Sequence, residues 1–390
     1  MIKLLHLADL HLGRPFRMLG QRGSEQRRAL QAALERAVAL AISERVNLVL
    51  IAGDLFDSPK PSEGTIQFVT AQLRLLEDAG IRIAIAAGNH DMGRDEYVAA
   101  MTHLRDAAPA ATFFGKSVES KVFPDLDLTL IGRSALAEGT GSPLSGWPRG
   151  RTTRFAIGLA HGSVFRPGVV ETPHAIHPHE IRDLGLDYLA LGDWHSAAEV
   201  LPPPTAAWYP GSPEWLAFDQ DRSGHVLLIE IPEPGAARVT EHRVGRRRYE
   251  RREINAAELD DLMLRRVIED AADPELVFEV ALSGLVPLQR TINTEMLERD
   301  LGERFFRLRV LNRTHLWLED ASLENLSDQT VLDGSSVSCG NALQLPPRTS
   351  GRFSKRRCRS GRRCCLVARC SRDPAPAADP ALPGAHRCNL

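Results

Sequence analysis

Five short clusters of polar residues contain the side-chain types that bind divalent metal ions. They are far apart in the sequence, and each follows an apolar run. Carboxylate, imidazole and amide ligands together suit Mn²⁺, Fe²⁺ or Zn²⁺, whereas a set made only of oxygen atoms would suit Mg²⁺ or Ca²⁺. The clusters are Asp9-Leu10-His11, Gly53-Asp54-Leu55-Phe56-Asp57, Gly88-Asn89-His90-Asp91, His161-Gly162 and Gly192-Asp193-Trp194-His195.

The apolar runs before these clusters alternate with amphipathic stretches, which is the pattern of an α/β layered domain. One helix is predicted to begin at Ser24, and another to begin at Ser62 and to end at Gly80. The carboxyl ends of the strands in such folds converge on one crevice, so we expect the five clusters to meet there. The predicted strands lie at 2–8, 48–52, 81–87, 128–131, 155–160, 188–191 and 226–229.

A pair of metal ions about 3.5–4 Å apart needs a carboxylate that bridges them. Asp54 is the natural bridge because it follows the middle strand of the predicted set. The glycines before Asp54, Asn89 and Asp193 are expected to let the backbone turn sharply at the strand ends. The clusters therefore predict a two-metal centre.

In this order, the clusters resemble the signature of the calcineurin-like metallophosphoesterases, which reads D-x-H, G-D-x-x-D, G-N-H-[DE], H and G-H-x-H. The resemblance covers roughly residues 1–230. It implies an α/β fold in which a layered β-sandwich is flanked by helices. The implied ligands are Asp9, His11, Asp54 and His195 for the first metal, and Asp54, Asn89, His161 and, by position, Asp193 for the second.

The same resemblance implies roles for residues beside the metals. His90 would act on the phosphate or the leaving group, Asp91 would orient His90, and Asp57 would support a ligand. Asp193 is a departure, because the family usually has histidine at that position. The shorter, charged aspartate is expected to favour a harder metal and to weaken or rearrange the second site.

Within that family, several segments read as in the DNA-repair exonucleases of the SbcD type. They are residues 6–13, 53–57, 208–214 and 224–230. This resemblance implies an exonuclease, and also a single-strand endonuclease, that hydrolyses DNA phosphodiesters. It implies two divalent ions, with Mn²⁺ first and Fe²⁺, Zn²⁺ or Mg²⁺ as alternatives. The implied partners are DNA and an SbcC-like coiled-coil ATPase.

Two other functions would use the same residues. A phosphomonoesterase or a cyclic-nucleotide phosphodiesterase would act on a small substrate at this site. A binding subunit with a decayed site is a third hypothesis, which only Asp193 motivates. The nuclease-like segments and a second domain favour DNA hydrolysis.

Length and composition predict more than one domain, since the chain has 390 residues of which 43% are hydrophobic. A catalytic domain is predicted at 1–235, ending in a linker at 231–235, and a smaller α+β domain at 236–333. For this smaller domain, the resemblance to the SbcD-type nucleases implies a capping role that partly orients DNA. The segment 334–390 is predicted to be a disordered basic tail, with ten Lys or Arg and no Asp or Glu between Asp333 and Asp373. An altered reading frame near residue 334 would also produce this composition.

All six cysteines lie in that tail, where they lack the paired spacing of a zinc site. The formal net charge of −2 gives no global basic footprint, so contacts with nucleic acid need a local patch. The arginine-rich run 243–252 is such a patch or a solvated strand face. His174, His177 and His179 have a spacing that would suit a metal site, but they are interpreted as a solvated loop or the start of a helix. No apolar run is long enough to span a membrane, so a cytoplasmic protein is expected, and a homodimer is one alternative for its oligomeric state.

Overall fold

The computed structural model describes residues 1–92, 99–136, 141–165 and 175–317. His174 and the predicted tail 334–390 lie outside the described residues. Contacts divide the chain into two compact units. The first comprises Met1–Arg251, Ala272–Phe278 and Gly302–Leu308, and the second comprises Arg252–Ala271, Glu279–Leu301 and the residues from Arg309 onward.

The described part of the first unit contains two six-stranded sheets and four α-helices. The strands are β1 (Ile2–Leu7), β2 (Leu48–Ala52), β3 (Arg82–Ala86), β4 (Thr112–Phe114), β5 (Glu119–Phe123), β6 (Leu128–Arg133), β7 (Phe155–His161), β8 (Tyr188–Gly192), β9 (Ala198–Leu201), β10 (Ala206–Tyr209), β11 (His225–Ile231) and β12 (Arg238–Arg243). The helices are α1 (Gly23–Ser43), α2 (Glu63–Asp78), α3 (Ala99–Ala107) and α4 (Pro178–Asp183), with 3₁₀ turns at Arg17–Arg22 and Pro124–Leu126.

The order of the first sheet is β12-β11-β1-β2-β3-β4, and that of the second is β5-β6-β7-β8-β10-β9. Strands β1 to β4 pair in parallel, as do β6, β7, β8 and β10. The carboxyl ends of β1, β2, β3, β7 and β8 precede the five polar clusters. Parallel pairing therefore brings the clusters of each sheet to one edge.

The two sheets pack face to face, because both have an apolar inner face. Leu4 and Leu50 of the first sheet share a buried cluster with Ile157 and Tyr188 of the second. The outer face of the first sheet is covered by α1, whose Leu34 packs with the residues of β2 in a second buried cluster. Helix α4 contributes to a third cluster on the outer face of the second sheet. This arrangement confirms the predicted α/β fold, a β-sandwich flanked by helices.

The predicted strands are found with ends shifted by no more than two residues. Ser62 caps α2 as predicted, since its side chain accepts a hydrogen bond from the backbone N of Thr65. Gly80 follows the end of that helix with a φ of 71°. The prediction for Ser24 is wrong, because α1 already includes Gly23 and its N-cap position is Arg22.

The predicted linker at 231–235 is the turn of a hairpin. Strands β11 and β12 pair antiparallel on either side of it, with Ile229 opposite Val239. Proline and glycine are as common in such turns as in linkers, so their presence in the sequence does not distinguish the two.

The remaining elements begin with β13 (Arg248–Asn255). Strands β13, β14 (Leu276–Ser283) and β16 (Arg307–Asn312) form one sheet in the order β13-β14-β16, while β15 (Leu285–Pro287) pairs in parallel with β17 (His315–Trp317). The helices are α5 (Asp261–Glu269) and α6 (Thr294–Leu301), with 3₁₀ turns at Ala256–Glu258 and Gly302–Arg304. Among the described residues, no helix is both long and apolar enough to cross a membrane.

Candidate metal centre

The loops after β1 and β2 are held together by backbone hydrogen bonds. Asp9 N donates to Gly53 O over 3.0 Å, and His11 N donates to Asp54 O over 2.9 Å. Asp9, His11 and Asp54 have φ values of 54°, 47° and 50°, a left-handed conformation that side chains with a Cβ seldom adopt. Such backbone costs of order 1–3 kcal/mol per residue and is concentrated at functional sites.

Four of the predicted ligands form one cluster. His11 Nε2 lies 3.1 Å from His195 Nε2 and 3.5 Å from Asp54 Oδ2. Ligand atoms of Asp9, His11 and His195 all lie within 4.8 Å of one another. The structure thus brings together the set that the resemblance implies for a first metal.

A second cluster forms around His161, the last residue of β7. Its Nε2 lies 2.9 Å from Asn89 Oδ1, 3.7 Å from Asp54 Oδ2 and 3.8 Å from Asp193 Oδ1. Asp54 Oδ2 therefore borders both clusters, as expected of a bridging carboxylate. The seven predicted ligands converge on one place in the first unit.

Neighbouring groups fix the three imidazole rings. His11 Nδ1 lies 3.1 Å from Asp57 Oδ1, and His161 Nδ1 donates to the carbonyl of Ala52 over 2.9 Å. Such bonds at one ring nitrogen orient the other toward a metal. Gln220 Nε2 donates to His195 Nδ1 over 2.9 Å, at the nitrogen opposite the one that faces His11. No pattern in the sequence indicated Ala52 or Gln220.

The charges of the site suit a cation. Burial raises the pKa of the Asp9 carboxyl well above its usual range, opposed by His161 and assisted by Asp54 and Asp193. Burial lowers the pKa of His161, but Asp54, Asp9 and Asp193 outweigh it and raise that pKa to about 9. Without metal ions, a protonated His161 balances part of the negative charge. The donor set therefore fits divalent cations, whose binding would release this proton.

The pKa of His195 is shifted in the opposite direction from that of His161. Burial and the neighbouring His11 lower its pKa to about 4. The ring is therefore neutral near pH 7, which is the form that binds metals.

Asp193 contributes through its backbone and its side chain. Its backbone N donates to Asp9 Oδ1 over 3.0 Å, and its Oδ2 accepts a hydrogen bond from Ser163 Oγ. The side chain is 29% exposed, so it lies at the opening of the centre. Ser163 was not predicted, although it lies only two residues after His161.

The surroundings of His90 differ from those that the resemblance implies. Its Nδ1 donates to the carbonyl of Asp57 over 3.1 Å, and the ring packs edge-on against His11, with centroids 4.7 Å apart. The Asp91 carboxylate accepts from the backbone N of Leu55, Phe56 and Gly88. The expected orientation of His90 by Asp91 is thus corrected: the Asp57 carbonyl holds the ring, and Asp91 joins the loops after β2 and β3.

Burial and the charge of Asp54 raise the pKa of Asp91 to about 7, against its three backbone hydrogen bonds. His90 itself is exposed. His11, Asp57 and His90 also place ligand atoms within 4.8 Å of one another, which makes them a third group with metal-binding side chains.

The nuclease-like segment 208–214 supports two ligand loops. The Tyr209 hydroxyl donates to the carbonyl of Gly162 over 2.7 Å and accepts from Val164 N. Ser212 N donates to the carbonyl of His195 over 3.0 Å. These bonds link the end of β10 and the residues after it to the loop that follows His161 and to His195.

A basic cavity borders the centre at Asp57. It encloses about 330 Å³ and is lined by residues of α1, the loop after β2 and the start of α2. Arg27, Arg28 and Lys60 line it with exposed side chains. Asp57 is the acidic residue of the cavity lining. Its carboxylate already contacts His11 and the guanidinium of Arg14, which lies 3.4 Å away. We name this feature the basic groove.

The arginine run 243–252 is largely engaged within the first unit. Arg247 pairs with Glu275 and lies over the Phe306 ring at 3.5 Å, and Arg248 pairs with Asp273. These contacts favour a structural role for both arginines. His177 is the N-cap residue of α4, and its ring packs on that of His179, with centroids 5.4 Å apart.

Residues 2–229 match the family model described as calcineurin-like phosphoesterase. The chain belongs to this family. The match covers more than half of its residues, including every predicted ligand and His90. The phosphoesterase thus places the signature residues of its family around the two clusters described above.

The curated relatives of the phosphoesterase include DNA double-strand break repair proteins and a nuclease subunit. The DNA double-strand break repair protein Mre11 of Aeropyrum pernix is 43% identical over 93 residues, which cover 23% of this chain and 21% of that protein. Mre11 of Methanopyrus kandleri is 25% identical over 259 residues, covering 60% and 55%. One component of the nuclease SbcCD of Escherichia coli is 28% identical over 105 residues, covering 27% and 24%. The phosphoesterase therefore matches about half or less of the length of these relatives.

Proposed function

We propose that this phosphoesterase hydrolyses phosphodiester bonds of DNA with two divalent metal ions, as a nuclease of the Mre11 and SbcD type. The observation that carries the proposal is the convergence of six other nitrogen and oxygen donor residues around Asp54. The relatives' names supply the substrate class, since they describe a component of a nuclease and break-repair proteins.

The residues divide into two ligand sets and one group that acts on the substrate. Bound cations would withdraw charge from the phosphate oxygens and lower the pKa of a water molecule. Mixed nitrogen and oxygen donors favour Mn²⁺ over Mg²⁺. His90 is exposed beside these sets and would assist the departing oxygen. The ligands are Asp9, His11, Asp54 and His195 for one ion and Asp54, Asn89, His161 and Asp193 for the other.

The basic groove gives the proposal a second support. Phosphates on either side of the scissile bond need cationic partners, and Arg28 and Lys60 lie in a groove that reaches the centre through Asp57. An SbcC-like coiled-coil ATPase as partner and a DNA-orienting role for 236–333 belong to the same proposal.

The test compares two substrates with one protein preparation. Linear DNA, single-stranded and double-stranded, and a generic aryl phosphate are incubated with Mn²⁺, with Mg²⁺ or with a chelator. We expect DNA to be degraded with Mn²⁺, and the chelator to stop the reaction. An Asp54→Asn variant controls for contaminating nucleases. Hydrolysis of the aryl phosphate with DNA left intact would instead indicate a small-molecule phosphoesterase.

A further inference from the structure

Ser163 and Asp193 lie side by side on the loops that follow β7 and β8. A backbone hydrogen bond joins these two places, since Gly162 N donates to Gly192 O over 3.0 Å. Beside it, the Ser163 hydroxyl donates to Asp193 Oδ2. The two residues are 30 positions apart in the sequence, so their contact depends on the parallel pairing of β7 with β8 and not on a local turn.

Tyr209 fixes the backbone on both sides of Ser163. Its hydroxyl donates to the carbonyl of Gly162 over 2.7 Å and accepts from Val164 N over 2.9 Å. Tyr209 is buried, so these bonds anchor the loop in the core. Ser163 itself is exposed, and an exposed hydroxyl gains little stability from a hydrogen bond because water would replace the partner. So firm a hold on an exposed serine points to a role other than stability.

The backbone of Asp193 is fixed independently of Ser163. Its N donates to both carboxylate oxygens of Asp9, over 3.0 and 3.2 Å. Its φ of 109° is one that residues with a Cβ seldom adopt. The rotation of the side chain remains to be determined, and the hydrogen bond from Ser163 determines it. With Oδ2 bonded to the hydroxyl, Oδ1 is the oxygen that lies 3.8 Å from His161 Nε2.

The bond from Ser163 changes what the Asp193 carboxylate offers to a cation. A free carboxylate binds a metal ion through one oxygen or through both. A carboxylate whose Oδ2 accepts from a hydroxyl presents only Oδ1, in a fixed direction. Asp193 is then a donor of one atom, as an imidazole at the same position would be.

We propose that Ser163 is a positioning residue for the second metal ion, because its hydroxyl holds Asp193 Oδ2 and thereby directs Oδ1 at that ion. The inference rests on the proposed two-metal function and adds to it a residue that contacts neither the ion nor the substrate. Ser163 acts through Asp193 alone, so its effect is confined to one of the two ions.

The test measures the binding of Mn²⁺ alone to metal-free protein by calorimetry at one pH. Thermal unfolding of the same metal-free preparations is measured beside it. The variants are Ser163→Ala, Ser163→Thr, which keeps a hydroxyl, Asp193→His, and the double variant Ser163→Ala, Asp193→His. Ser43→Ala is the matched control, because it removes an exposed hydroxyl that donates to the carbonyl of Leu40 over 3.0 Å at the end of α1.

We expect Ser163→Ala to weaken the binding of one ion about tenfold to a hundredfold, the usual effect of removing the hydrogen-bond partner of a ligand. The other ion and the melting temperature of the metal-free protein should be unchanged. Ser163→Thr and Ser43→Ala should bind both ions as the parent does. In the Asp193→His background, Ser163→Ala should cause no further loss, because the carboxylate on which the hydroxyl acts is gone.

Any of three results overturns the inference. The first is unchanged Mn²⁺ binding by Ser163→Ala. The second is an equal weakening of both ions or a lower melting temperature without metal, which would mean that Ser163 supports the loop as a whole. The third is an equally large loss in the Asp193→His background, which would mean that Ser163 does not act through Asp193.

Ser163→Thr decides the matter if Ser163→Ala fails to fold. It retains the hydroxyl and must therefore bind both ions as tightly as the parent, and weaker binding of the second ion would contradict the inference. A parent that binds fewer than two Mn²⁺ ions contradicts the proposed function itself.

Discussion

At the scale of single residues, the centre is organised by the balance of charge around His161. Three aspartates raise its pKa to about 9 although burial lowers it. Its Nδ1 is held by Ala52 O, so Nε2 is the atom that exchanges a proton for a metal. Metal binding at this position should therefore become tighter as pH rises toward 9.

His90 is expected to act on the phosphate. The variant His90→Ala should retain nearly all bound metal while turnover falls by about 10²–10⁴, the usual contribution of a general acid. Metal analysis and kinetics on the same preparation decide this prediction. Loss of metal in proportion to activity would assign His90 to the ligand set that contains His11 and Asp57.

Asp193 is expected to hold the second metal. Asp193→Ala should lose that ion preferentially and keep the first, because the backbone N that binds Asp9 remains. Asp193→His should bind two ions and shift preference toward Zn²⁺ or Fe²⁺, since imidazole is the softer donor. Metal titrations of both variants are the measurement. If Asp193→Ala binds two equivalents as tightly as the parent does, Asp193 is not a ligand.

At the scale of elements, the strand ends position the ligands through very close packing. A Cβ on Gly192 would lie 1.8 Å from the carbonyl of Ala52, and one on Gly53 would lie 2.2 Å from His161 Nδ1. Of the three glycines that precede ligands, only Gly53 has a positive φ, 90°. Gly88 and Gly192 are therefore required because there is no space for a side chain, and not because the backbone needs a positive φ there.

Gly88→Ala tests this packing. Its Cβ would lie 2.1 Å from Asp54 Oδ1 and 2.4 Å from Asp54 N, so the bridging carboxylate must move. We expect a loss of about 1–3 kcal/mol in the free energy of unfolding and weaker metal binding. Gly64→Ala in α2 is the control, because its Cβ would meet no atom within 4 Å. That control should be neutral or slightly stabilising, and equal losses in both variants would contradict the packing argument.

Glu214 provides a pH-dependent link between elements. It is buried and accepts from the backbone N of Trp215, Arg246 and Arg247, which joins the loop after β10 to the segment after β12. Burial raises its pKa from 4.5 to about 7 despite these bonds. Because the pKa of Glu214 is higher in the folded protein than in the unfolded chain, protonation of this carboxyl favours folding. The contribution of Glu214 to stability is therefore complete below pH 4.5 and is lost as pH rises through 7.

Glu214→Gln should remove this pH dependence. Between pH 4.5 and 8, the free energy of unfolding of the parent should fall by up to about 3 kcal/mol relative to the variant. Urea unfolding at several pH values measures the difference, with the exposed Glu233→Gln as control. A constant offset between parent and Glu214→Gln would mean that the carboxyl does not titrate in this range.

Much of the arrangement of strands and ligand clusters could be predicted from the sequence, because it depends on local patterns. Apolar runs located the strands, and parallel pairing carried the clusters to one place. Contacts over long sequence separations could not be predicted. His161 is held by Ala52, 109 residues away, and His195 by Gln220, 25 residues away. The hairpin between β11 and β12 is local, but it was taken for a linker because proline and glycine occur in turns and in linkers alike.

At the scale of the whole molecule, the net charge of −2 conceals an uneven distribution. Part of the arginine run is engaged in ion pairs, whereas the basic groove contains cations without such partners. Within the described part of the chain, the side chains of Arg28 and Lys60 form no hydrogen bond or ion pair. Both line the cavity that reaches Asp57. Local charge beside the centre, rather than the total, should therefore govern binding of a DNA strand.

The double variant Arg28→Gln, Lys60→Gln tests this distribution through salt dependence. Each phosphate neutralised on a single strand contributes about 0.7 to the slope of log affinity against log salt. If the groove holds two phosphates, the slope should become shallower by about 1.4 in the variant. Fluorescence anisotropy of a labelled oligonucleotide, with chelator present to prevent hydrolysis, gives affinities over a range of salt concentrations.

Lys116→Gln, Lys121→Gln is the matched control, because it removes two exposed charges on and just before β5. If the total charge attracted DNA at long range, the salt slope would change equally in both double variants. If the groove contacts phosphates, the slope should change only in Arg28→Gln, Lys60→Gln. If Arg28→Gln, Lys60→Gln keeps the same salt slope as the parent, the DNA strand does not bind along the basic groove. The cations that track DNA would then have to lie elsewhere on the phosphoesterase.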